Sequence, residues 1–183
     1  MNAADIIDGL MAKRFRRSFV IPRYTPVRWW ECDVYLLTDA GFAVEYEVKT
    51  SLADFRADAT KDRRIFRSFD PERNQATDQR NQEIVERKHD LLAARDTRGP
   101  SQFWFVVPAG LIACEIVPEW AGLIEIGNSW RMTESVVKTA PRLHREPVSA
   151  KARLAVEATA YWRMHGAFCE LAAVRRARKR IAR

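Results

Sequence analysis

Cysteine, histidine, glycine and proline are all scarce in this sequence, and each scarcity removes a class of protein. The three cysteines, Cys32, Cys114 and Cys169, are odd in number and far apart. That excludes a disulfide framework and a paired-cysteine zinc site, and the three read as reduced, mostly buried thiols. The three histidines, His89, His144 and His165, have no metal-ligand or triad spacing, and no serine or cysteine sits in a recognisable nucleophile context. All three are therefore expected to be structural. Seven glycines and eight prolines are too few for a collagen-like or linker-like chain. No run reaches the roughly 18 apolar residues that a membrane-spanning helix needs. The N-terminus turns amphipathic and basic without a continuous apolar segment, so the expectation is a cytoplasmic protein with no membrane partner.

What is present is a core and an uneven charge. Of the 183 residues 47% are hydrophobic and 30% charged, enough for one globular domain spanning residues 1–183. The net charge is +7. Residues 142–183 hold eleven Lys and Arg against three Asp and Glu, and residues 1–30 hold six against two. Residues 31–60 reverse this, with seven acids against two bases. A chain basic at both ends and acidic in one short stretch suits a surface that attracts a polyanion around a small site that holds cations. A merely solvated basic surface is the alternative.

Residues 4–15 place Ile6, Ile7, Leu10, Met11 and Phe15 at helical spacing, with Asp5 near the start and Lys13, Arg14, Arg16 and Arg17 near the end, as the helix dipole favours. Residues 33–37 and 42–49 read as the strands of a hairpin around the turn Thr38-Asp39-Ala40-Gly41. The second strand alternates Val44, Tyr46, Val48 with Glu45, Glu47, Lys49, which predicts one packed face and one ionic face. A helix is expected over 51–66 behind a Ser51 cap. A mobile polar loop is expected over 67–82, and a further helix from about Gln82 to Ala94. The continuous apolar run Phe103–Val107 predicts the buried centre of the sheet, and 122–126 a further strand. Residues 149–183 read as a basic helical extension ending in Arg175-Arg176-Ala177-Arg178-Lys179-Arg180.

The chemistry centres on the hairpin. If Thr38 faces Phe42, residues whose numbers sum to 80 stand opposite, so Asp33 faces Glu47 and Glu31 faces Lys49. Two opposed carboxylates repel unless a cation lies between them. Mg²⁺ takes carboxylate oxygens together with water and phosphate, so Asp33 and Glu47 are candidate ligands, and Lys49 reaches the same face. Taken alone, the pattern also fits a solvated hairpin edge with cross-strand ion pairs.

The D…ExK arrangement of Asp33, Glu47 and Lys49, in a hairpin after an N-terminal helix, resembles the PD-(D/E)xK nuclease superfamily, with Cys32 in place of the proline. The stretches from Glu47 to Asp58, from Phe103 to Leu111 and from Val117 to Ile124 resemble its MmcB-like DNA repair branch, which also appears in phage-type proteins. The resemblance covers roughly residues 29–126 and departs from the compact pattern in the polar excursion at about 60–98.

It implies an α/β fold with a restriction-endonuclease-like core, a mixed sheet of about four to five strands flanked by helices, and a C-terminal helix. It implies a nuclease that hydrolyses DNA, RNA being left open, with Mg²⁺ or Mn²⁺ as cofactor. Asp33, Glu47 and Lys49 would be catalytic, and Asp33, Glu47 and the Val48 carbonyl would be metal ligands. Repair, recombination or a mobile element would be the setting. A nucleic-acid-binding or adaptor protein on the same fold, with little or no cleavage, is the alternative.

Glu31, Ser51 and Asp54 are supporting candidates, although Ser51 and Asp54 also fit a helix cap and first turn. Either Lys61 or Lys88 would be the basic residue after the helix. Trp29 and Trp30 face opposite ways if extended, which would leave Trp30 exposed for base stacking. Arg175, Arg176, Arg178 and Lys179 form a phosphate-binding surface or a solvated helix end. The oligomeric state is not legible.

Overall fold

A computed structural model describes residues 1–14, 18–66, 83–127 and 132–181. The chain is α/β, built on one mixed sheet flanked by helices. Helix α1 (Ala3–Arg14) precedes β1 (Ser18–Tyr24), β2 (Cys32–Thr38) and β3 (Ala43–Val48), which form an antiparallel meander. Helix α2 (Leu52–Asp58), the strands β4 (Asp62–Phe66) and β5 (Glu83–Arg87), and helix α3 (Lys88–Ala93) then fill the crossover to β6 (Gln102–Pro108). Strand β6 runs parallel to β3, and β7 (Ala121–Gly127) runs parallel to β6. Strand β8 (Thr133–Lys138) closes the sheet antiparallel to β7, and α4 (Ala150–Ile181) ends the chain. The order is β1-β2-β3-β6-β7-β8, with β4 and β5 paired as a separate ribbon.

The sheet therefore has six strands rather than four to five, because β1 and β8 extend it at its two edges. Both escape the sequence pattern for physical reasons. Pro22 lies within β1, tolerated because an edge strand need not donate every backbone N–H. Strand β8 is largely exposed and carries no apolar alternation. The expected helix over 51–66 stops at Asp58, where Lys61 N–H turns back onto the Asp58 carbonyl, and β4 follows. The expected helix from Gln82 begins only at Lys88, because Glu83–Arg87 pairs with β4. Those pairings are non-local and leave no periodic signature. The loop expected over 67–82, and Phe15, Arg16 and Arg17, lie outside the described residues.

Two layers cover the sheet. On one face Ile6, Ile7 and Leu10 of α1 pack on Val34, Val44, Tyr46, Val48 and Val106. On the other, Phe55 of α2 and Leu92 of α3 pack on Phe103, Phe105 and Val107. At the β1 end of that second face, Val156 of α4 packs with Ile21, Tyr35 and Leu37. Helix α1 and β6 thus behave as their periodicity predicts. Gly122 is needed where β7 passes the Trp104 ring, since a Cβ there would lie 2.4 Å from a ring carbon and 2.6 Å from the Ala140 nitrogen. Of the cysteines, Cys32 is buried, Cys114 half-buried and Cys169, on the exposed stretch of α4, exposed. No described helix is long and apolar enough to cross a membrane.

Candidate active site

The hairpin register is the one the turn chemistry predicts. Thr38 N–H donates to the Phe42 carbonyl at 2.9 Å, Gly41 takes a φ of +82°, and Val34 faces Tyr46 while Tyr35 faces Glu45. Asp33, Glu45, Glu47 and Lys49 consequently share the face beneath α2 and α3. Asp33 Oδ2 accepts the Val48 N–H at 2.8 Å, so the first carboxylate is pinned to the strand that carries the second. The Val48 side chain packs on the opposite face, leaving only its backbone near the acids.

The ionic face is buried, not solvated. Glu45, Glu47, Lys49, Asp58 and Lys88 are all buried, and an alternating chain of charges joins them. Trp29 Nε1 donates to Glu45 Oε2 at 2.9 Å, and Lys88 bridges Glu45 Oε1 and Glu47 Oε2, the latter at 3.2 Å. Glu47 Oε1 takes Lys49 at 3.0 Å and also Lys61. Those two ammoniums reach on to Asp58 Oδ1 at 2.7 and 2.8 Å, off the direction of a linear hydrogen bond, while His89 Nε2 meets Asp58 Oδ2 at 2.8 Å. Lysines thus supply the positive charge against Glu47 in this structure, while among the described residues Asp33, opposite it across the hairpin, forms no ion pair. Desolvation this severe is tolerable only because every charge meets an opposite one.

Electrostatics sort the acids into two kinds. Burial and the nearby Glu47 charge raise the Asp33 carboxyl above its ordinary value, against the Val48 N–H, Lys49 and Lys61. Burial likewise raises Glu45, with Lys88 opposing. At Glu47 burial is outweighed by Lys88, Lys49 and Lys61, and its value falls. At Asp58 burial is outweighed by the His89 bond and the two lysines, and it falls far. Lys61 and Lys88 are both raised, since their acidic partners outweigh desolvation.

Other expectations fare unevenly. Ser51 caps α2, its hydroxyl accepting Asp54 N–H at 3.1 Å. Asp54 is half-exposed and lies 4.0 Å from Lys49. Glu31 is exposed, and Lys49 pairs with Glu47 and Asp58 in place of it. Lys88 is fully buried and cannot touch a nucleic acid, whereas the Lys61 side chain is 38% exposed. Trp30 is buried together with Trp29, contrary to the exposure expected of it. Residues 27–29 form a turn rather than an extended segment, with Arg28 at φ +59°, so the two rings meet edge to face instead of pointing apart. Arg63 of β4 then stacks 4.5 Å over the Trp30 ring. Arg175 and Arg176 are exposed on α4, and the side chains of Arg178 and Lys179 lie outside the described residues.

Three members of the network were not singled out as site residues by the sequence: Glu45, which the strand alternation placed on the ionic face without a role, Asp58 and His89. Asp58 follows Phe55 by three on the inward stripe of α2, and a charged residue on a buried stripe is the signal that could have found it. His89, expected to be structural, holds Asp58 and packs on the Trp120 ring.

Asp33 and Glu47 offer hard oxygen donors of the kind Mg²⁺ takes, and among the described residues Asp33 bonds through Oδ2, to the Val48 N–H. Both Glu47 oxygens, by contrast, are on ammoniums, and among the described residues no group of three or more His, Cys, Asp or Glu converges as a metal cage. The donor chemistry fits such an ion if Lys49 and Lys61 shift toward Asp58.

No family model matches the chain, and no curated protein does. Among solved structures, a protein of unknown function from Silicibacter pomeroyi is similar in fold, with a TM-score of 0.57 and 18% identity over 92% of each chain. At that identity the likeness concerns the fold alone.

Proposed function

We propose that this chain is a metal-dependent nuclease of the PD-(D/E)xK type, with a restriction-endonuclease-like core related to the MmcB-like DNA repair branch. It hydrolyses phosphodiester bonds in DNA, in the cytoplasm, in repair, recombination or the life of a mobile element. One observation carries the reading: Asp33 and Glu47 stand on adjacent strands in the register that brings their carboxylates to one face, with Lys49 beside Glu47 at 3.0 Å.

Asp33 and Glu47, with the Val48 carbonyl, would hold Mg²⁺ or Mn²⁺. The ion, when bound, polarises the scissile phosphate and acidifies a water. Lys49, on both Glu47 and Asp58 in this structure, would stay on Asp58 as the ion takes Glu47 and keep a positive charge where negative charge develops on the phosphate oxygens. Lys61, the most exposed ammonium of the group, meets the incoming phosphate. Lys88 and His89 touch no substrate. They position Glu47 and Asp58. The basic ends of the chain attract the phosphate backbone without reading sequence, so affinity should fall steeply with salt.

The test is cleavage of single-stranded, duplex, flap and junction DNA with Mg²⁺ or Mn²⁺, comparing wild type with Asp33→Asn and Lys49→Ala. Both variants should lose cleavage, and Asp33→Asn should still bind DNA. Cleavage that survives Asp33→Asn would overturn the assignment. A non-cleaving DNA binder is the second reading, favoured by the occupation of both Glu47 oxygens by lysines. It predicts salt-sensitive binding and no cleavage by wild type with either metal.

A further inference from the structure

Helix α4 has 32 residues, about 48 Å of helix. Only its first third is seated. Val156 is buried and Ala160 packs on the same cluster, while the Arg163 guanidinium donates to the Pro22 and Arg23 carbonyls, the latter at 2.8 Å. Beyond that clamp the residues from Arg163 to Leu171 are all exposed, yet the segment is not polar. Trp162 is 66% exposed and Phe168 67%.

The exposed apolar residues are ordered. Leu154, Tyr161, Met164, Phe168 and Leu171 are spaced by sevens, threes and fours, the a and d positions of a heptad repeat, and all are exposed. A seam of period 3.5 is the pattern of one helix lying against another, not of a helix lying on a sheet. Most flanking positions are small, with Ala158, Ala160, Ala167 and Ala172, and His165 is a bulky exception beside Met164. The seam exposes roughly 600 Å² of apolar surface, at the upper end of what a monomer leaves open and about three quarters of one side of a standard interface.

We infer that this seam pairs with the same seam of a second copy, antiparallel, to make a dimer through α4. Charge decides the direction. A parallel pair sets Arg175 against Arg175 and Glu157 against Glu157, both at seam positions. An antiparallel pair centred on Gly166 opposes residues whose numbers sum to 332. Met164 then meets Phe168, Tyr161 meets Leu171 and Glu157 meets Arg175, each an a position facing a d position. The basic ends diverge, each lying beside the other copy's Glu157. Arg153 already holds Glu157 from its own helix at 2.9 Å, so the acid is oriented before the partner arrives.

Sedimentation of the full chain across the micromolar range tests this. Wild type should be a dimer, and Phe168→Glu with Leu171→Glu should weaken it more than about a hundredfold, with an unchanged thermal transition of the sheet domain measured at low concentration. Glu157→Arg alone should weaken the dimer, and adding Arg175→Glu should bring it back to within about threefold of wild type. A monomeric wild type would overturn the inference, as would a dimer indifferent to the Phe168 and Leu171 changes. A charge swap that fails to restore association would overturn the antiparallel register.

Discussion

The floor beneath α2 and α3 and the outer half of α4 depart from the usual sorting of side chains in opposite directions. In the first, Glu45, Glu47, Lys49, Asp58 and Lys88 are buried. In the second, Tyr161, Trp162, Met164, Phe168 and Leu171 stand in water. The buried charges are complete within one chain, since each carboxylate meets an ammonium, the His89 ring, the Trp29 indole or a backbone N–H. Among the described residues the exposed rings meet their own helical neighbours, as Tyr161 does Trp162 at 5.4 Å. Rule-breaking that is satisfied internally marks a site the fold is built to hold. Rule-breaking left unsatisfied marks a surface that another molecule completes.

That contrast breaks most readily at Lys88. Replacing it by Met leaves Glu45 and Glu47 buried without their shared ammonium, and urea denaturation should record a loss of about 3–5 kcal/mol, partly recovered at mildly acidic pH as Glu45 takes a proton. If Lys88→Met costs little, the network is not the internally complete unit described above. Glu47→Gln would take one carboxylate partner from each of three lysines and leave each with another, so a loss of cleavage in that variant would have to be separated from a loss of fold.

Asp58→Asn should cost about 2–3 kcal/mol at neutral pH, and it sharpens the comparison through pH. Asp58 and Glu47 have depressed folded values, so their stabilisation is complete above the ordinary carboxylate value of about 4 and is lost as pH falls below it. Asp33 and Glu45 have raised folded values, so protonation as pH falls from neutral toward about 4 adds stability. Stability should therefore rise slightly on mild acidification and then drop, and in Asp58→Asn the drop should be shallower. Denaturant midpoints across that range would show it.

Asp33→Asn should gain under about 1 kcal/mol, because a carboxyl disfavoured by burial becomes neutral. Phe168→Ala, in dilute protein, should fall within about 0.5 kcal/mol of wild type. A large loss there would mean that α4 has a partner within its own chain and that the comparison is wrong.

Local chemistry made much of this legible beforehand. The Thr38–Phe42 closure and Gly41 set the hairpin register, Ser51 marked its helix start, and the Phe103–Val107 run marked the sheet interior. What escaped was set by partners remote in sequence. Glu45, Glu47 and Lys49 alternate as a solvated strand face would, and only α2 and α3 folding over them make that face an interior. The β4–β5 ribbon reads as helix from its own residues because nothing local announces the partner strand. Trp30 was misplaced by one turn residue, Arg28, whose positive φ abolishes the alternation assumed for it.

The crossover between β3 and its parallel neighbour β6 has a consequence in time. Glu47 and Lys88 are 41 residues apart, with α2, the ribbon and the start of α3 between them in the chain. Contacts closing so long a loop repay their entropy late, as the β3–β6 pairing across the same crossover does, so the Lys88 end of the charge network should be weakly formed in the folding transition state. Its substitutions should then leave the refolding limb of a chevron nearly unchanged and steepen escape from the native state. The Lys88 end of the network would then act as a latch, holding the protein folded by slowing its unfolding.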